Sequence, residues 1–211
     1  MNASSARPVR TGERPTASAR ARTSVDSVGQ NPDAAIDANN AGAIRLATTP
    51  LDVTLARTLF VEYAQWLNVD LCFQGFDQEL RTLPGAYAPP RGRLLLAGTA
   101  ENAFACIALR ALGSAGDQSR NDEGVGEVKR LYVQPTHRNQ GWGERLVRAL
   151  IAEAGALGYR ELKLDTLDWM AGARALYERL GFSECRPYYA NPLRGAVYMA
   201  MRLERNAGAG L

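Results

Sequence analysis

Residues 127–150 read EVKRLYVQPTHRNQGWGERLVRAL, and the fold is decided here. The stretch begins as a strand, passes through Pro135 and Thr136, turns at Gly141 and Gly143, and enters an amphipathic helix. Leu146, Val147, Leu150, Ile151, Ala154 and Leu157 recur at spacings of three and four, which predicts one apolar helix face. Gly158 predicts the C-cap. The first amide N–H groups of a helix have no intrahelical acceptor, and its dipole places about half a positive charge there. With glycines in place of bulky side chains, this helix start is suited to hold a phosphate or a similar anion.

On the N-terminal side, Ile44 and Leu46 alternate with Arg45 as a short strand. Thr49 followed by Pro50 reads as an N-cap with proline at the first helical position. That helix runs to about Leu67, with Leu55, Leu59, Tyr63 and Trp66 on one stripe. A second short helix covers Asp77 to Leu83, and Pro84, Gly85, Pro89 and Pro90 form a stiff loop. Arg93–Gly98 and Phe104–Leu112 pair as a hairpin joined at Gly98–Asn102. The Gly-, Ser- and Asp-rich residues 113–124 form a loop, and Val125–Val133 is the next strand. On the C-terminal side, Leu162–Thr166 is a strand and Met170–Leu180 a helix stopped by Gly181. Cys185–Tyr188 and Ala196–Leu203 are the last strands, joined through Asn191 and Pro192. The order β-α-α-β-β-β-α-β-α-β-β is a mixed α/β pattern, with crossover helices near the middle of one sheet.

The 211 residues are 46% apolar, enough for one real core. The organisation expected is an Arg-, Ser- and Ala-rich disordered extension over 1–41, a folded domain over 42–205, and a flexible tail over 206–211. The extension carries Arg7, Arg10, Arg14, Arg20 and Arg22 against Glu13, with too little aliphatic content to offset ordering. Such a start also resembles an organelle transit peptide, but Pro8 and Pro15 interrupt the apolar face one needs. A net charge of +3 is too small to argue for nucleic acid. No apolar run approaches the ~20 residues that span a bilayer, so no membrane partner is expected.

Cys72, Cys106 and Cys185 are far apart, with no C-x-x-C pair, which suits a reducing cytoplasm. Cys106, inside AFACIAL, reads as a buried small hydrophobe. His137 is the only histidine, which excludes a multi-His metal site, so no metal is expected. It reads as a solvated loop residue.

Two blocks in order carry a family resemblance. Arg138-Asn139-Gln140-Gly141-Trp142-Gly143 follows a strand and opens a helix. Ala173-Arg174-Ala175-Leu176-Tyr177 then lies on a later helix that ends in Gly181-Phe182. Over about residues 43–204 the sequence resembles the GNAT superfamily of acetyl-CoA-dependent N-acetyltransferases. The resemblance implies a GNAT-type (acyl-CoA N-acyltransferase) fold, a central mixed, mostly antiparallel sheet flanked by helices. It departs at Met170, where many members carry an asparagine that helps hold the cofactor.

By the same resemblance, acetyl-CoA is the cosubstrate. Its pyrophosphate would lie against Arg138, Asn139, Gln140, Gly141, Trp142, Gly143 and Glu144. Its pantetheine arm would pair with a bulged strand at Leu131, Tyr132 and Val133. The poor alternation of that strand agrees, since Lys129 shares a period-two face with Leu131 and Val133. Glu127 stands where some members carry a catalytic base; it also reads as a strand-end charge facing solvent or pairing with Arg130. Tyr177 matches the family's general acid near the sulfur; it also reads as a core tyrosine sharing a face with Ala173 and Leu180.

The acceptor is expected among Tyr63, Trp66, Phe73, Phe76, Tyr87, Tyr188, Tyr189 and Asn191, though for most of them ordinary core is the better reading. Arg130 and Arg186 read as carboxylate contacts or surface charges. The implied partner is a small-molecule or amino-acid-like amine, with a homodimer left open. The competing readings are a non-catalytic acyl-CoA sensor and a protein acetyltransferase.

Overall fold

The computed structural model describes residues 42–69, 71, 75–113 and 124–204. The expected extension over 1–41, the tail over 206–211, the body of the loop over 114–123, Cys72 and Phe73 lie outside the described residues. Strand β1 (Ala43–Leu46) leads into helix α1 (Pro50–Leu67) and helix α2 (Phe76–Thr82). The hairpin β2 (Arg93–Gly98) and β3 (Ala103–Ala111) is followed by β4 (Val125–Val133), α3 (Trp142–Ala156) and β5 (Glu161–Leu167). Helix α4 (Ala171–Arg179), β6 (Ser183–Glu184) and β7 (Ala196–Arg202) complete the order. The strands form one sheet, β1-β2-β3-β4-β5-β7-β6, in which β4 and β5 are parallel and the other pairs antiparallel. A parallel neighbour cannot be reached by a tight turn, so α3 makes the crossover.

The start of α1 follows from four residues. Thr49 Oγ1 accepts the Asp52 amide at 3.1 Å, and Asp52 Oδ2 accepts the Thr49 amide at 3.1 Å, a capping box with Pro50 in the first turn. Arg45 Nη2 reaches Asp52 Oδ1 at 3.0 Å and ties β1 to the helix. At the other end of the fold, α3 and α4 stop on the same device. Gly158 (φ +80°) and Gly181 (φ +96°) turn left-handed, and Tyr159 and Phe182 donate back to the carbonyls of Ala154 and Tyr177, each at 3.0 Å.

Each face of the sheet has its own core. Leu95, Ile107, Leu109 and Val128 pack against α3 and α4 through Leu146, Leu150 and Tyr177. Leu94, Leu96, Cys106 and Tyr132 pack against α1 and α2 through Leu59, Phe60 and Phe76. Cys106 is fully buried, as its apolar run implies.

The last two strands differ from expectation. The pairing ends at Glu184, so Cys185–Tyr188 is not a strand, although the Cys185 amide still donates to Tyr198 O at 2.9 Å. Pro187 lacks an N–H for the ladder, and Tyr188 and Tyr189 turn inward to bond carboxylates instead.

Two irregularities shape the centre. Cys106 pairs with Tyr132 and Ala108 with Lys129, so Arg130 and Leu131 together face Ile107. This is a β-bulge, and Arg130 takes φ +58°, a conformation that favours glycine. The bulge breaks the period of two: Leu131 joins Val128 on the α3 face, and Lys129 does not share that face but reaches carboxylates on β4 and β5. Meanwhile the parallel pairing of β4 and β5 runs only from Val125–Glu161 to Glu127–Lys163. Beyond it the strands part, while β5 stays paired with β7 to Leu167. A wedge therefore opens in mid-sheet.

Thr49→Ala removes the capping acceptor of α1 and is expected to cost about 1 kcal/mol, read as a lower midpoint in urea unfolding with an unchanged slope.

Candidate active site

The wedge carries a cleft of about 490 Å³. Its floor is Leu131, Tyr132 and Val133, one wall is the start of α3, and the other is Met170 to Ala173 with Leu176. The first amide bonded inside α3 is that of Arg145, to Gly141 O at 3.0 Å. The amides of Trp142, Gly143 and Glu144 therefore have no acceptor within the helix, and Trp142 and Gly143 line the cleft. Gly141 has φ +80°, and a Cβ added there would meet no atom within 4 Å, so backbone and open space coincide at the anion-seeking helix start. These features fit a pyrophosphate-bearing ligand with an extended arm.

Eight of the ten residues expected at the cofactor line this cleft, namely Leu131, Tyr132, Val133, Arg138, Asn139, Gly141, Trp142 and Gly143. Gln140 and Glu144 are not among the lining residues: Gln140 Nε2 donates to Thr136 O at 3.1 Å, and Glu144 pairs with Arg148 at 2.8 Å. Arg138 donates its Nε to Val133 O at 2.9 Å and lays its guanidinium over Trp66, 4.6 Å from the ring centroid. It thus braces the cleft floor as well as standing beside the start of α3. His137 is not a solvated loop residue: its ring stacks on Phe104 with centroids 4.0 Å apart. Sequence reading missed Trp169, which lies after β5 and faces Trp66 across the cleft mouth at 6.2 Å.

A smaller chamber of about 70 Å³ adjoins the cleft, sharing Leu131, Met170 and Ala173 with it. Tyr177, Tyr63, Lys129, Arg130, Asp165 and Thr166 give the chamber its polar lining. Tyr177 is 7% exposed, and its backbone and ring are both held by Phe182, whose amide donates to Tyr177 O and whose ring packs edge-on at 5.5 Å. Burial first, then the nearby Tyr63 and Asp165, push its hydroxyl well above the usual tyrosine range, so it stays a neutral donor. Met170, where the family resemblance departs, accepts a weak bond from Thr166 Oγ1 at 3.6 Å and offers the cleft an apolar wall.

Glu127 does not face solvent and does not pair with Arg130. It is 1% exposed and is bound by Arg110 Nη2 at 2.6 Å, Lys129 Nζ at 3.4 Å and the Tyr188 hydroxyl at 3.2 Å. Arg110 sits on the neighbouring strand, across from Glu127 in the register, which explains the choice of partner. Glu127 is not among the residues lining the chamber; Lys129 connects it there, since Nζ also binds Asp165 Oδ1 at 3.0 Å. Tyr189 and Asn191 donate to Asp165 Oδ2 at 2.8 and 3.1 Å. Asp165 was not singled out in sequence, although Leu162 and Leu164 alternate with Lys163 and Asp165 and place the acid on the opposite face.

Arg130 is no surface charge, being 5% exposed. It binds Glu79 through Nε at 2.9 Å and Nη2 at 2.5 Å and lies over the Phe76 ring. Tyr87 donates to the same carboxylate at 2.8 Å. Phe76 and Tyr87 are thus core, whereas Arg186 is exposed. Burial works to raise the Glu79 carboxyl, but the bonds and charge of Arg130, with the Tyr87 hydroxyl, hold it below the usual range. Its contribution to stability is therefore full above the unfolded glutamate value of about 4.3 and is lost as pH falls through the lower folded value. Glu79→Gln is expected to cost about 3 kcal/mol at pH 7. In urea unfolding followed against pH, the gap to the wild type should begin to shrink near pH 4.

Comparison with known proteins agrees with this architecture. Residues 60–182 match the family model described as "Acetyltransferase (GNAT) family". An uncharacterized N-acetyltransferase of Schizosaccharomyces pombe is 35% identical over 77% of this chain and 96% of its own. The IAA acetyltransferase of Azospirillum brasilense is 36% identical over 52% of this chain and 64% of its own. Among solved structures, yncA of Salmonella typhimurium, determined with its cofactor acetyl-CoA, aligns with a TM-score of 0.55 at 20% identity. That alignment covers 80% of this chain and 97% of the other. With the expected glycine loop, parted central strands and buried tyrosine in one place, the chain belongs to the GNAT acetyltransferase family.

Proposed function

We propose that this protein transfers an acetyl group from acetyl-CoA to the primary amine of a small-molecule or amino-acid-like acceptor, by direct attack in a ternary complex. The observation that carries the reading is the junction of the long cleft with the small chamber, where Tyr177 stands across Leu131, Met170 and Ala173. When bound, acetyl-CoA supplies an activated thioester carbonyl. The α3 amides and Gly141 hold its phosphates, and the strand edge at Leu131–Val133 aligns its arm. Leu131 and Met170 keep water from the carbonyl, whose hydrolysis would compete with transfer.

Tyr177, kept neutral by burial, offers its O–H to the departing sulfur and lowers the cost of the thiolate. An acceptor that arrives as an ammonium loses two protons over the whole reaction: one ends on the thiol of coenzyme A and the other passes to solvent. Glu127 does not line the chamber, so its part as base runs through Lys129, which lies between it and Asp165.

The test is release of free thiol from acetyl-CoA across a panel of amines, amino acids and peptides. Tyr177→Phe is expected to lower turnover about 10²-fold with coenzyme A affinity unchanged. An unchanged rate would remove Tyr177 from the reaction. Gly141→Val forces a β-branched residue to φ +80° at the phosphate end and is expected to abolish coenzyme A binding in calorimetry. Coenzyme A binding without thiol release for any acceptor would instead mark a sensor.

A further inference from the structure

Resting on the acetyltransferase reading, we propose that Asp165 is the acceptor-binding residue, and that the acceptor it selects is a slender primary alkylammonium. An ionised carboxylate has about four acceptor positions. Three are filled: Lys129 Nζ on Oδ1, and the Tyr189 hydroxyl and Asn191 amide on Oδ2. The carboxylate nonetheless lines the chamber with its side chain 10% exposed. Both donors on Oδ2 are neutral, and the acceptor position left open is on Oδ1, beside Lys129.

The residues around this carboxylate hold it in place. Asn191 Oδ1 accepts the Leu193 amide at 2.9 Å, which turns the Asn191 NH₂ toward Asp165 and the Tyr189 oxygen. Tyr198 in turn donates to Tyr189 O at 2.9 Å and pins the loop between β6 and β7. Burial works to raise the Asp165 carboxyl, but Lys129, Tyr189 and Arg130 outweigh it, so the group stays charged at neutral pH. It therefore orients an ammonium rather than keeping its proton.

The chamber's cations are less suited to an acceptor's carboxylate. Arg130 is bound through two nitrogens to Glu79, and Lys129 is shared by Glu127 and Asp165. An anion there would compete with these pairs. The narrow volume of about 70 Å³ admits an unbranched amine end and excludes a bulky one.

The test needs no knowledge of the acceptor. S-(3-aminopropyl)-coenzyme A carries an ammonium from the sulfur toward the chamber, and S-butyl-coenzyme A is its neutral counterpart. Calorimetry on the full chain is expected to show the ammonium analogue binding about tenfold tighter, the worth of one charge-assisted hydrogen bond. Asp165→Asn should erase that preference and leave the affinity for S-butyl-coenzyme A unchanged. Tyr189→Phe, which frees a position on Oδ2 without removing the charge, should keep or widen it, and supports the assignment even if Asp165→Asn does not fold. Equal binding of the two analogues by the wild type would overturn the proposal, as would a preference retained in Asp165→Asn. Tightest binding of S-(2-carboxyethyl)-coenzyme A would also overturn it, by placing an acceptor carboxylate on Lys129 or Arg130. Failure of coenzyme A itself to bind would instead sink the cofactor-site reading beneath it.

Discussion

The bulge in β4 depends on the ion pair between Arg130 and Glu79. A residue other than glycine at φ +58° is strained by about 1–3 kcal/mol and persists only where its surroundings over-determine it. Here the surroundings are a carboxylate that meets two guanidinium nitrogens, a tyrosine that orients the same carboxylate, and a phenyl ring under the cation. All three partners come from α2 and the turn after it. The short helix thus has a purpose that its modest length hides: it holds the central strand in an irregular shape from the far side.

The irregular shape serves the opening in the sheet. A regular β4 would put residues 128, 130 and 132 on one face. The bulge instead resets the phase, so that Val128 and Leu131 share the α3 core while Lys129 and Arg130 both line the chamber. Two buried cations from adjacent residues then require acids from elsewhere. Glu127 and Asp165 flank Lys129, and Glu79 takes Arg130. Removing any one acid would leave a buried positive charge less well compensated.

Much of this was legible in sequence where the signal is local. Thr49-Pro50 fixed a helix start, and the glycine pair before Leu146 fixed another, because caps and turns are written within a few residues. Gly181-Phe182 was legible as a helix end, and its closeness to Tyr177 follows from the cap itself, which returns Phe182 to the third residue before the helix stops. The charge network was not legible. Arg130 and Glu79 lie 51 positions apart, and Lys129 and Asp165 lie 36 apart. Their pairing rests on register and on a bulge, neither of which leaves a periodic trace. Glu127 was therefore visible as a residue of interest but not as one enclosed by Arg110 and Tyr188. The strand expected over Cys185–Tyr188 failed for the same reason: Tyr188, like Tyr189 just after it, answers to a carboxylate on a distant strand rather than to a neighbouring edge.

The chain has three tryptophans, and all of them, Trp66, Trp142 and Trp169, stand on the walls of one cleft. Two are exposed by 41% and 55%, and the third is buried with the Arg145 guanidinium over its ring. Indole emission reports the polarity and nearby groups of its own surroundings. The indole part of this protein's ultraviolet fluorescence therefore originates at its candidate nucleotide site, which makes the native molecule its own optical probe, with no label to attach.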